Sequence, residues 1–161
     1  MEQLDAFLRW AAGPLLLTQN REAYAEWLVI QALGLDPGTS RLEGVEPEMG
    51  GEPEQGRGAI SVAVRSAAYL QGPAQTAPNA ISFAIQQRLA PVFVFCLLNE
   101  KDPRFADPLE LSQWLFWVVP TGTLHPERQT IGVQALLRAH GDGIGYRDLN
   151  ARMEAVLTTI R

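Results

Sequence analysis

Cysteine, lysine and histidine are nearly missing from this 161-residue chain, and each shortage removes a class of chemistry. Cys96 is the only cysteine, so no internal disulfide can form, and its place inside an apolar run predicts a buried structural thiol. His125 and His140 have no second ligand at metal spacing, which excludes zinc sites of the usual kind and predicts two surface side chains. Lys101 is the only lysine, so chemistry that needs a titratable amine has one place to look. No G-x-S-x-G elbow occurs, and Gly141-Asp-Gly-Ile-Gly145 follows a helix and lacks the Lys-Ser/Thr of a phosphate loop; it reads as a turn. The longest apolar stretch, Ala90 to Leu98, is far shorter than the ~20 residues of a membrane-spanning helix. The acidic, polar start Met1-Glu-Gln-Leu-Asp does not read as a secretory signal, so a cytoplasmic protein is expected.

What remains is a 47% hydrophobic, 19% charged chain, which suits a single domain over residues 1–161. Thirteen basic against eighteen acidic residues leave a formal charge of −5, which opposes tight nonspecific binding of nucleic acid. The charge is uneven. Glu43, Glu46, Glu48, Glu52 and Glu54 crowd between Arg41 and Arg57, whereas arginine dominates beyond Arg128.

Leu4, Phe7, Leu8 and Ala11 recur at helical spacing, so residues 1–19 read as an N-terminal helical extension to a core of residues 20–161. A second helix is expected from Asn20 to Leu33, with Asn20 as N-cap, Glu22 in the first turn and Gly34 at the end. Tyr24, Trp27, Leu28 and Ile30 would face inward. Strands are expected at Ala59–Arg65, Ala80–Ile85, Val92–Leu98 and Leu115–Val119, with a short edge strand near Arg41–Val45. Helices near Ile131–Ala139 and Tyr146–Ile160 close the chain, the last with Leu149, Met153, Val156, Leu157 and Ile160 on one stripe. Trp114 and Trp117 are expected in the core. The order predicts an α/β domain with one sheet and helices packed on it.

The informative stretch is Val62-Ala-Val-Arg-Ser-Ala-Ala-Tyr-Leu-Gln71, followed by Gln75 and Ile81-Ser-Phe-Ala-Ile85. It resembles a family of uncharacterised bacterial proteins of the PD-(D/E)XK nuclease superfamily, whose members read I-E-V-K-S-x-A-Y-L-Q and then W-x-Q here. The resemblance extends upstream to Ala25-Glu26-Trp27-Leu28-Val29. Downstream it takes in Val92–Leu98, Asp107-Pro-Leu-Glu-Leu-Ser-Gln-Trp114, Phe116 to Thr121 and Thr130-Ile131-Gly132, so roughly residues 20 to 150 are covered. It implies a restriction-endonuclease-like fold, a central mixed β-sheet flanked by helices.

The resemblance also implies a site. In that superfamily two strand acids bind Mg²⁺, a lysine two residues beyond the second acid positions or deprotonates water, and a helix Glu joins the network. By position the helix acid is Glu26, and the first strand acid falls near Glu48, or Glu46 in another alignment. The second acid falls on Ala63, which offers a metal nothing, and the lysine on Arg65, which stays protonated and cannot act as a base. The tryptophan after Tyr-Leu-Gln is also missing, since Gly72-Pro73-Ala74 precede Gln75. Lys101, in the polar loop Asn99–Arg104, is poorly placed to substitute; Ser61, Glu52 and Glu54 are nearer in sequence as replacement oxygen ligands.

The expected protein is therefore a nuclease-like domain without an intact catalytic set or a resident cofactor. It would act by binding a nucleic acid or a protein, with a homodimer as one arrangement, whose interface exposed tryptophans near the sheet edge would mark. Arg65 would then fill the vacated cation position by pairing with Glu26 or Glu48. One alternative is a divergent Mg²⁺-dependent DNA endonuclease using Glu26, Glu48 and a relocated acid. Another is a small-ligand or peptide binder reusing the cleft through Arg65, Ser66, Tyr69, Gln71 and Gln75.

Overall fold

A computed structural model describes residues 2–12, 17–34, 62–71, 75, 77–86 and 90–160. The expected edge strand near Arg41–Val45, and Glu46, Glu48, Glu52, Glu54 and Ser61, lie outside the described residues. The described elements are α1 (Glu2–Ala12), α2 (Thr18–Ala32), β1 (Val62–Ala68), β2 (Ser82–Ala84), β3 (Val92–Leu98), β4 (Trp114–Pro120), β5 (Thr130–Gly132), α3 (Val133–His140) and α4 (Leu149–Ile160). Among the described residues, no helix is long and apolar enough to cross a membrane.

β3 is the middle of the larger sheet, as its unbroken apolar sequence Val-Phe-Val-Phe-Cys-Leu-Leu requires: all seven residues are buried. β1 pairs with it in parallel, Val62 opposite Val92 through Ala68 opposite Leu98, and β4 pairs antiparallel on the other side. The β3–β4 ladder continues past both strand ends, through Thr121 N–H to Pro91 O (2.9 Å) and Asn99 N–H to Gln113 O (2.8 Å). The α/β class and a mixed sheet are as expected, but the strands do not form one sheet. β2 and β5 make a separate antiparallel pair, Phe83 opposite Ile131. Ile131 thus belongs to a strand, and α3 begins only at Val133.

Side chains alternate across the larger sheet and build two cores. Val62, Ala68, Val92, Val94, Cys96, Leu98, Trp114, Phe116 and Val118 face α2 and α4, where Ala25, Leu28, Val29, Leu149 and Met153 meet them. Ala63, Ala67, Phe93, Phe95, Leu97, Trp117 and Val119 face the other way, onto Phe83 of β2, Ile131 of β5 and Leu136 of α3.

α2 starts earlier than its sequence suggested. Its N-cap is Leu17, with no side-chain cap, so Asn20 is the third residue of the helix and not its cap, and Glu22 lies beyond the first turn. Its end is as expected: Gly34 takes φ +65° and donates its N–H to Gln31 O, a conformation glycine adopts without a Cβ penalty. Arg21, Ala25, Leu28 and Val29 form the main buried arc, Ile30 is buried as expected, and Trp27 falls outside at 46% exposure. Trp27 stacks instead on the half-buried Tyr24 at 5.8 Å.

The segment 141–145 is a turn, and it caps the open edge of β4: Phe116 and Ile144 exchange both backbone hydrogen bonds. Gly143 permits that approach. A Cβ there would sit 2.9 Å from Trp117 Cζ2 and 3.0 Å from Leu115 Cβ. Trp117 cannot yield, because its ring is in the core and its Nε1 donates to Gly141 O at 3.0 Å. Gly143→Ala is expected to cost about 1–3 kcal/mol through overpacking, read as a lower urea midpoint at unchanged slope.

Cys96 is fully buried, and burial pushes its thiol well above its ordinary range. A disulfide reagent is expected to label it at least a thousandfold more slowly in buffer than in denaturing urea, because access requires opening of the core. Fast labelling of the native protein would contradict this packing.

Candidate functional site

β1 is short, β-branched at Val62 and Val64, and small at Ala63, Ser66, Ala67 and Ala68, so it sits closely between two packed layers. Its alternation keeps Ala63 and Arg65 on one face and sets both apart from α2, which carries Glu26, on the other. Ala63 is 0% exposed and belongs to the core beneath β2 and β5. Arg65 points to the same side: its guanidinium lies 5.5 Å from the Phe93 ring centre, and Nη1 donates to Val64 O at 3.0 Å. α2, which carries the half-buried Glu26, packs against the opposite face of β1. Glu48 lies outside the described residues, so its place in an Arg65 pairing is not part of this geometry.

Ser66 is buried on the α2 side, where it accepts a 3.3 Å hydrogen bond from Arg21 Nε. Arg21, at 3% exposure, is the buried cation of the described core; burial lowers its pKa, and Glu22 partly opposes that shift. Sequence reading missed this arginine. The signal was there, since position 21 lies on the arc of Ala25, Leu28 and Val29, where a charged side chain must be buried. The other polar candidates have local work as well. Gln75 accepts from Gln71 N–H at 2.8 Å and donates to Tyr69 O at 3.0 Å and to Ala77 O, tying the loop after β1. Gln71 is exposed, and Tyr69 is half-buried.

Lys101 comes closer to β1 than its loop suggested. Its Nζ lies 4.6 Å from the Tyr69 ring centre, just past the end of the strand. Tyr69 is nonetheless four residues beyond Arg65, roughly 13 Å along a strand, so Lys101 does not replace the amine the resemblance calls for. The neighbouring loop is held by Arg104, whose guanidinium binds the Asp102 carboxylate at 2.7 Å and lowers that acid's pKa to about 2.

A Mg²⁺ ion needs several hard oxygen ligands around one point. Ala63 supplies none, and its surroundings are apolar, so the described part of β1 does not fit the metal of the resembled family. Among the described residues, no group of three His, Cys, Asp or Glu side chains is placed to hold a metal ion.

A cavity of about 20 Å³, room for about one water, lies beyond β4, lined by Val118, Trp117, His140, Asp142 and Arg152 among others. His140, half-buried, has its pKa lowered by burial. A histidine held below its unfolded pKa binds its proton better when unfolded, so stability is expected to fall as pH drops below about 6.5, levelling out under the folded pKa. His140→Gln should flatten that part of the pH–stability curve, and an unchanged curve would remove His140 as its cause. His125 is exposed, as expected.

The described site therefore offers a buried arginine–serine contact on one face of β1 and an alanine–arginine pair on the other. Comparisons with protein-family models, with curated proteins and with solved structures yield no match.

Proposed function

We propose that this chain is a catalytically degenerate relative of the PD-(D/E)XK nucleases, with a restriction-endonuclease-like fold, that acts by binding and not by hydrolysis. The observation that carries this reading is Ala63, which is fully buried in an apolar core where the resembled family has a metal-binding carboxylate. Arg65 reinforces it, because a guanidinium against a phenyl ring can neither ligate a cation nor accept a proton from water. A protein partner is favoured over a nucleic acid. The formal charge of −5 repels phosphate, and Trp10, Trp27 and Phe105 leave large apolar areas exposed. Cytoplasmic location belongs to the same proposal and rests on the lone buried thiol.

The test is incubation of the purified chain with plasmid and single-stranded DNA in Mg²⁺ and in Mn²⁺. No cleavage above buffer is expected, with weak DNA binding even at low salt. Cleavage that Glu26→Ala abolishes would establish the divergent-nuclease alternative instead.

A further inference from the structure

α1 has an apolar face that the other described residues leave open. Leu4, Phe7 and Trp10 are 58%, 56% and 77% exposed, and Leu17, just before α2, is 55% exposed. On an α-helix Leu4, Phe7 and Ala11 fall within one 60° arc, with Trp10 60° to the other side of Phe7. The Phe7 and Trp10 ring centres are 6.0 Å apart, so the two rings form one surface. The charged positions of the helix, 2, 5 and 9, fall on the opposite side of the wheel. Such a face implies an occupant, because water contact over this much apolar side chain is unfavourable.

We propose that the occupant is the same face of a second copy, with α1 packed antiparallel on α1 about a twofold axis at Phe7. This goes beyond the loss of catalysis and does not depend on it. The stripe is self-complementary: a dyad at Phe7 sets Leu4 opposite the partner subunit's Trp10, a branched side chain against a large ring, on both sides of the axis. Area supports the same occupant. The exposed parts of Leu4, Phe7 and Trp10 amount to roughly 400 Å² per copy, so a pair removes up to about 800 Å², the size of a weak, reversible interface. A reversible dimer follows, with dissociation on the order of micromolar. A lipid surface fits less well. Helices that lie on membranes carry basic polar faces, and here the charged positions are Glu2, Asp5 and Arg9, two acids to one base, with the neutral Gln3 between Phe7 and Trp10.

The test is sedimentation equilibrium of the full chain from about 1 to 200 μM, with the double variant Phe7→Glu/Trp10→Glu beside it. The wild type should pass from monomer to dimer within that range, and the variant should dissociate at least 30-fold more easily with unchanged thermal midpoint under monomeric conditions. A second measurement keeps the proposal open to refutation if that variant folds poorly. Phe7→Cys should form a disulfide-linked dimer on mild oxidation, because the dyad brings the two positions together, and Glu2→Cys should not. A wild type that stays monomeric at 200 μM would overturn the proposal. So would a dimer whose midpoint the double variant leaves unchanged, equal cross-linking from positions 2 and 7, or a monomeric wild type that instead floats with phosphatidylglycerol vesicles.

Discussion

Ala63→Glu, the substitution that restores the acid of the resembled family, is expected to destabilise the chain by about 3–5 kcal/mol and to create no Mg²⁺ site. Position 63 is 0% exposed in the core that holds Phe83, Phe93 and Ile131, so the new carboxyl enters apolar surroundings where Arg65, the cation described on that face, lies over the ring of the cross-strand partner Phe93. Burial would raise its folded pKa above the unfolded value of about 4.3, and Arg65 on the same face would oppose only part of that shift. The sign of the pH dependence follows. The deficit relative to wild type is smallest below the unfolded pKa, where both states are neutral, and grows as pH rises towards the folded pKa. Adding Arg65→Lys changes this little, because it keeps a cation on that face, over Phe93, the cross-strand partner of position 63. Thermal unfolding with and without 10 mM Mg²⁺ reads the result. A restored site with a millimolar dissociation constant would add about 1.4 kcal/mol, a rise of roughly 3–5 °C. No rise is expected; one of that size would sink the degenerate-site reading.

Trp114→Ala is expected to cost about 3–5 kcal/mol, a large share of the ~5–15 kcal/mol that holds a domain of this size together. Trp114 is 1% exposed at the start of β4, and its ring meets Tyr24 of α2 at 6.1 Å and Phe116 at 6.4 Å. Its Nε1 donates to Pro108 O at 2.9 Å, so the indole also fastens the 102–111 loop to the sheet. Alanine would leave a cavity, orphan that carbonyl and release the loop together. Trp114→Phe keeps most of the volume and loses the donor, and should cost less than half as much. Urea unfolding distinguishes the two; equal midpoints would mean that packing contributes little at this position.

Much of the fold was legible because burial on one face or two writes different patterns. β3 has no polar residue, so it had to be a strand covered on both sides, and its bounds Val92–Leu98 were readable to the residue. β4 and α4 were close for similar reasons. β2 and β5 show where reading failed. Each is three residues long, too short for alternation to reveal which sheet it joins, and that pairing depends on residues far apart in sequence. α2 began early because its first turn has no capping side chain to mark it, and Asn20 offered a false one. For the site, the resemblance could name Ala63 and Arg65 but could not say that Ala63 would be sealed inside a core. Arg21 has no counterpart among the positions the resemblance names, and its only mark in the sequence is a charge on the apolar arc of α2.

β3 contributes alternate residues to both cores, Val92, Val94, Cys96 and Leu98 to one and Phe93, Phe95 and Leu97 to the other. It is a party wall, and neither compartment can loosen without displacing it. The two cores are therefore thermodynamically coupled: they unfold in one transition, and paired substitutions on opposite faces of β3 do not simply add.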